Sequence, residues 1–156
     1  MTKSIVTEPS ETGFSSRRIY GIDLGTSYSS LALLDEEQQP RVIANSTGSP
    51  LTASVVVLTD GDKAHIDPPP GSLADAVSAV RILAIKREMG NPRFALRHGN
   101  HRLTPELISS LILRRLRQDA EKQLGPIQRV VITVPFYFNE LRRRATRNAG
   151  QIAGLE

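Results

Sequence analysis

The stretch Ile22-Asp23-Leu24-Gly25-Thr26-Ser27-Tyr28 holds the residues best suited to chemistry. Asp23 ends an apolar, strand-like run, where a carboxylate is costly unless a cation or hydrogen-bond donors meet it. Gly25 lets the backbone approach a ligand closely or take an unusual dihedral. Thr26, Ser27 and Tyr28 then bring hydroxyls and consecutive N–H groups into a tight turn, and successive N–H groups of this kind make an anion cradle. A carboxylate beside such a cradle can hold Mg²⁺ through water, because Mg²⁺ keeps much of its hydration shell. The same residues serve equally for a β-hairpin whose aspartate caps its own turn. The segment is not a Walker-type loop, since no G-x-x-x-x-G-K-[ST] occurs in the chain.

The elements around this turn follow from periodicity. Residues 18–24 and 28–34 read as the two strands of the hairpin, residues 41–45 as a third strand and residues 54–58 (SVVVL) as a β-branched fourth. Asp60-Gly61-Asp62 closes that strand, and Asp67-Pro68-Pro69-Pro70-Gly71 is a stiff break. Apolar spacing at Leu73, Ala76, Val77, Val80 and Leu83 predicts a helix over 72–89 with Gly90 as its stop. Residues 91–103 read as a loop. Thr104-Pro105-Glu106 is a helix start with a side-chain cap, a proline at the first helical position and an acid at the positive end of the dipole. The stripe Ile108, Ile112, Leu116, Ala120, Leu124 carries that helix to Gly125-Pro126. A strand over 129–134 follows. Asn139 then caps a last helix with Leu141, Ala145, Ala149 and Ile152 inward and Gly154 as its end. The order predicts an α/β protein with an antiparallel hairpin start and a later strand–helix alternation.

Composition narrows the classes. The chain has 156 residues, 39% hydrophobic and 23% charged, enough for one domain with a real core. No apolar run approaches the roughly 20 residues of a spanning helix. Residues 1–17 form a polar leader expected to be disordered, without the apolar centre of a secretory signal. The absence of cysteine excludes disulfides, thiolate metal sites and cysteine catalysis, and suits a cytoplasmic protein. Charge is uneven: residues 1–80 hold 5 Lys+Arg against 10 Asp+Glu, and residues 81–156 hold 15 against 6. The basic half could meet phosphates or an acidic partner, or simply be the solvated face of arginine-rich helices. With no Trp and few aromatics, nothing points to a nucleic-acid module.

Four segments resemble one known family. Residues 20–34, YGIDLGTSYSSLALL, are similar to the phosphate-binding hairpin shared by actin, sugar kinases and heat-shock protein 70. Residues 84–90 (AIKREMG), 103–125 (LTPELISSLILRRLRQDAEKQLG) and 130–156 (VVITVPFYFNELRRRATRNAGQIAGLE) resemble the heat-shock protein 70, or DnaK-type chaperone, family specifically. The last is similar almost residue for residue. The resemblance covers most of residues 19–156.

The resemblance implies a ribonuclease-H-like (actin-like ATPase) half-domain over residues 18–156. It has a reduced inserted subdomain at about 60–103 and is C-terminally truncated relative to the family, so that its sheet is left with an open edge and an uncovered apolar face. It implies ATP or ADP with Mg²⁺ as cofactors, Asp23 holding the metal through water, and Gly25, Thr26, Ser27 and Tyr28 on the phosphates. Lys86, otherwise an ordinary surface lysine, would be catalytic together with Asp23. Pro135, Tyr137, Asn139 and Arg143 match positions that relay nucleotide state between domains. The implied function is ATP-driven protein folding in the stress response, once the rest of the domain is present. Its partners would be unfolded client polypeptides, a J-domain co-chaperone and a nucleotide-exchange factor, with neither nucleic acid nor membrane. The alternative is a truncated, non-catalytic interaction protein of the same superfamily that docks a partner through its helices.

Overall fold

The computed structural model describes residues 20–61, 63–73 and 78–156. The expected disordered leader lies outside the described residues. The main sheet has β1 (Tyr20–Asp23), β2 (Tyr28–Leu34), β3 (Pro40–Ile43), the short β4 (Thr52–Ala53) and β10 (Val130–Thr133). β1 and β2 form the antiparallel hairpin, in register Tyr20↔Leu33 to Asp23↔Ser30. β3 and β4 both pair antiparallel with β2 on its far side. β10 lies parallel to β1, Tyr20↔Val130 through Asp23↔Thr133, so these two strands end together at the hairpin turn. This is the mixed α/β architecture that the order of elements predicts.

Helix α1 (Pro105–Leu124) forms the crossover that parallel pairing requires. Its start is the one the sequence spells out: the Thr104 hydroxyl accepts from the Leu107 N–H, Pro105 opens the helix, and Gly125 ends it at φ 78°. Ile108, Ile112 and Leu113 are fully buried against the sheet, each contributing about 1.5–3 kcal/mol of burial. The buried Asp119 on the same helix is neutralised by Arg115 at 2.7 Å and Lys122 at 3.4 Å.

Helix α2 (Glu140–Ile152) starts at Asn139, whose side chain accepts from the Arg142 N–H. It packs on α1 and β10 with a face of small residues: Ala145, Thr146, Ala149 and Gly150 are buried. A Cβ on Gly150 would stand 3.1 Å from Ile132 Cδ1, so the helix sits too close for larger side chains there. That closeness corrects the expected inward face, since Leu141 and Ile152 flank the contact and are each 44% exposed. Arg117 of α1 ties down the end of α2 by donating to the carbonyls of Ala153 and Gly154.

Two further predictions are overturned. Residues 79–82, expected within a helix over 72–89, form β7 (Ala79–Ile82). β7 joins β5 (Val56–Thr59) and β6 (Lys63–Ile66) in a second antiparallel sheet, with β5 central and buried throughout. Only a single 3-10 turn, Ile85–Glu88, is helical in the described part of that stretch; residues 74–77 lie outside the described residues. The apolar positions there fit a helical period, but pairing with the β-branched β5 decides the outcome. Residues 96–103, expected as loop, form a hairpin of β8 (Leu96–His98) and β9 (His101–Leu103) across Gly99-Asn100.

β10 is the outer strand of the main sheet among the described residues. Among the described residues only the backbone of Glu156 reaches its outer side, donating to the Gln128 carbonyl and accepting from the Val130 N–H. Beside it, a hollow of about 390 Å³ opens between Ile132, Val134, Gly150 and Leu155. Arg143, Thr146, Arg147, Gln151 and Glu156 also line this hollow, so its walls are of mixed polarity.

Candidate functional site

The β1–β2 turn stands at the carboxyl ends of the two parallel strands, the usual place for a ligand on an α/β sheet. Gly25 is there for steric reasons: a Cβ at this position would collide with the Tyr28 carbonyl oxygen. The turn is locked by groups the sequence reading did not single out. The Gly25 N–H donates to Ser29 Oγ at 3.1 Å, and Ser54 Oγ donates to the Gly25 carbonyl at 2.9 Å. The Ser29 and Ser54 hydroxyls lie 2.9 Å apart. With the Ser54 proton committed to the carbonyl, the Ser29 hydroxyl donates to Ser54 Oγ and the ring closes, each group giving one proton and accepting one. Ser29 and Ser54 are 1% and 2% exposed, so their bonds face no competition from water. The Ser54 N–H adds a bond to the Ser27 carbonyl at 2.8 Å.

This arrangement distributes the backbone donors. The Gly25 N–H is spent inside the ring. The N–H groups of Thr26 and Ser27 have no protein acceptor among the described residues. Ser27 and Tyr28 are exposed, and Thr26 is half-buried. The turn therefore offers two adjacent free amides and two hydroxyls to an anion.

Asp23 is not the buried carboxylate that its strand suggested. β1 alternates, with Tyr20 and Ile22 buried and Gly21 and Asp23 outward. One oxygen, Oδ1, accepts from the Thr133 hydroxyl at 2.9 Å, across the parallel pair that aligns these residues. Oδ2 has no protein donor among the described residues.

Lys86 lies in the 3-10 turn Ile85–Glu88, close enough for Asp23 to act on it electrostatically. Several contacts fix that turn. Ala84 enters it in the left-handed region at φ 54°, Ile85 and Met89 are buried against the core, and Met89 Sδ accepts from the Ser109 hydroxyl of α1. Gly90, at φ +70°, lies against the first turn of α2, where a Cβ would be 3.2 Å from Arg142 Cα. Burial lowers the Lys86 pKa, and the Asp23 charge only partly opposes this. A lysine beside a carboxylate and a turn of free amides is placed to meet charge on a phosphate oxygen, and an incoming anion would favour its ammonium form.

Pro135, Tyr137, Asn139 and Arg143 form a second group, at the β10–α2 junction. The Pro135 carbonyl accepts from the Phe138 N–H. Arg143 donates back to the Phe138 carbonyl at 2.8 Å and to that of Phe136 at 3.4 Å, closing the turn from the helix side. Phe138 is buried, with Arg142 over its ring, whereas Phe136 and Tyr137 project outward. The structure thus brings Asp23, Gly25, Thr26, Ser27 and Tyr28 together with Lys86 nearby. The 135–143 group adjoins them through Thr133 and Gly90. Ser29, Ser54 and Thr133 are the site residues that sequence reasoning missed; nothing local marks them, because their partners lie up to 110 residues away in the chain.

Comparison with known proteins gives one consistent result. The family model described as "Hsp70 protein" matches residues 19–92 and 72–156. Two curated proteins named "Chaperone protein DnaK", from Halobacterium salinarum strains R1 and NRC-1, are each 39% identical to the chain over 142 residues. The match covers 90% of this chain and 22% of each relative, so the chain spans about a fifth of their length.

Two outcomes follow from the geometry. Ser54→Ala strands the Gly25 carbonyl and the Ser29 proton, and is expected to cost about 1–3 kcal/mol in urea unfolding; an unchanged midpoint would contradict the ring. The Lys86 pKa is depressed in the fold, so between that lowered value and the ordinary 10.5 the unfolded chain binds more protons. Stability therefore rises with pH through that window, and below it the burial penalty stands in full. Lys86→Met is expected to be more stable than the parent near pH 7, with the difference shrinking as pH approaches about 10. A less stable variant near neutrality would show that the ammonium is not penalised.

Proposed function

The chain belongs to the heat-shock protein 70 family, and on that premise we propose that it supplies one wall of an ATP–Mg²⁺ site in a chaperone ATPase. The observation that carries this reading is the turn at residues 25–28. It is held rigid by a buried hydroxyl ring, it presents the free amides of Thr26 and Ser27, and a carboxylate and a half-buried lysine stand beside it. In this reading the fold is the N-terminal lobe of a ribonuclease-H-like, actin-like ATPase domain over residues 18–156, with its insert at about 60–103.

The residues present fit both ligands. A side chain at Gly25 would fill the turn, so the backbone is kept bare where phosphates would lie. Thr26 and Ser27 would bind phosphate oxygens through their amides and hydroxyls, with the Tyr28 end of the turn closing the cradle. Thr133 orients Asp23 and leaves Oδ2 for a water of the Mg²⁺ shell. Bound Mg²⁺ would neutralise charge on the phosphates. Lys86 would place its ammonium on the terminal phosphate and the attacking water, where positioned charge is the main catalytic resource for phosphoryl transfer.

Pro135, Tyr137, Asn139 and Arg143 would report the state of this site. The β10–α2 turn they build begins at Pro135, two residues after Thr133, the partner of Asp23. In the longer relatives' setting the wall would serve ATP-coupled folding of client polypeptides in the cytoplasm, with a J-domain co-chaperone and a nucleotide-exchange factor. No helix among the described residues is long and apolar enough to cross a membrane.

One wall holds only part of the phosphate donors, so binding by the chain itself should be weak. Equilibrium dialysis with ATP and Mg²⁺ is expected to give a Kd of about 1 mM, near −4 kcal/mol, weakened several-fold further by Lys86→Ala. A micromolar Kd would contradict the single-wall reading. Absence of binding at about 10 mM ATP would contradict the phosphate reading itself.

A further inference from the structure

Lys86 is not the only cation that borders the turn. We propose that Arg81 is a second phosphate-binding cation of the same site, reaching the anion from the side that Asp23 and Lys86 do not line. This rests on the phosphate reading of residues 23–28. A hollow of about 330 Å³ lies beside the turn, with Thr26, Ser27 and Tyr28 on one wall and Val55, Arg81 and Leu83 among the residues of the other. Neither Asp23 nor Lys86 lines it.

The strand places Arg81 between this hollow and a second one of about 380 Å³ that it shares with Val57, Ala79 and the Pro68–Gly71 segment. In β7, Ile82 is buried and Val80 half-buried, while Ala79 and Arg81 face outward. The pairing Val57↔Arg81 ties this register to the central strand β5, so a slip would turn Ile82 out of the core. Two residues beyond Ile82, Ala84 bends the backbone through its left-handed conformation into the Lys86 turn. Arg81 and Lys86 thus leave one short segment for two different sides of the phosphate turn.

Among the described residues the charge in the hollow is unbalanced. Among the described residues, no carboxylate and no hydrogen-bond acceptor engages the Arg81 guanidinium. The facing turn adds the unsatisfied amides of Thr26 and Ser27, so both walls present positive potential toward the same space. Val55 and Leu83 add apolar groups to a space that is otherwise lined by the turn and Arg81. An arginine fork suits two phosphate oxygens better than it suits a point charge. A phosphate chain reaching from the Thr26–Ser27 amides into the hollow would lie between the amides and the Arg81 guanidinium.

Inorganic tripolyphosphate with Mg²⁺ is the direct probe, because it carries the phosphates without a base and leaves tyrosine fluorescence readable. Titration of the parent chain, Arg81→Met and Arg81→Lys compares a lost charge with a displaced one, and urea unfolding of each checks the fold. Arg81 is exposed, so both variants are expected to unfold at the parent's midpoint. Binding by Arg81→Met should be about tenfold weaker, with Arg81→Lys between it and the parent. Equal affinities in all three would overturn the role of Arg81 and leave the phosphate reading standing. A parent chain that does not bind tripolyphosphate would overturn both.

Discussion

The closed ring through Gly25, Ser29 and Ser54 is the contact on which the rest of the site depends. A turn that leaves its amides free for a ligand is under-bonded by construction, and backbone groups without partners are costly in a folded chain. The ring resolves this by spending both backbone groups of one residue, Gly25, on buried hydroxyls while the N–H groups of the next two stay free. It also joins strand β2 to the segment before β5, which links the 25–28 turn to the second sheet. Ser29 and Ser54 are nearly inaccessible to water, so the geometry is set before any ligand arrives. Preorganisation of that kind is what electrostatic binding and catalysis require.

The second constraint is the placement of Lys86. Its 3-10 turn is too short to hold itself, and its position is borrowed from neighbours: Ile85 and Met89 from the core, Ser109 from α1, and the close approach of Gly90 to Arg142 in α2. The lysine therefore answers to the same helix whose first turn is organised by Asn139 and Arg143. A shift of α2 would be felt at Gly90 and at the β10 end that carries Thr133. Packed contacts therefore connect the aromatic turn at 136–138 with the 25–28 turn on both sides.

Much of this was legible in the sequence, for local reasons. Thr104-Pro105-Glu106 and Asn139 each carry their own capping chemistry, and both helices begin where those residues stand. The hairpin announced itself through alternation and Gly25. The failures share a cause in long-range pairing. Residues 79–82 have apolar positions that suit a helix, but β5 supplies a partner that no local pattern reveals. The 96–103 hairpin is polar, and only Gly99-Asn100 hinted at its turn. Leu141 and Ile152 fit a helical stripe, yet α2 approaches β10 too closely to admit them, and Ala145, Ala149 and Gly150 take the contact. Ser29 and Ser54 are 25 residues apart, so their bond exists only in three dimensions.

The central claim is that the 25–28 turn is a phosphate cradle whose working donors are the amides of Thr26 and Ser27. Amide NMR of the chain during titration with ATP and Mg²⁺ tests it directly. The account predicts that the Thr26 and Ser27 resonances move most, and that the Gly25 amide, held by Ser29, moves little. Shifts concentrated at the hollow between β10 and α2, with residues 26 and 27 unmoved, would contradict it.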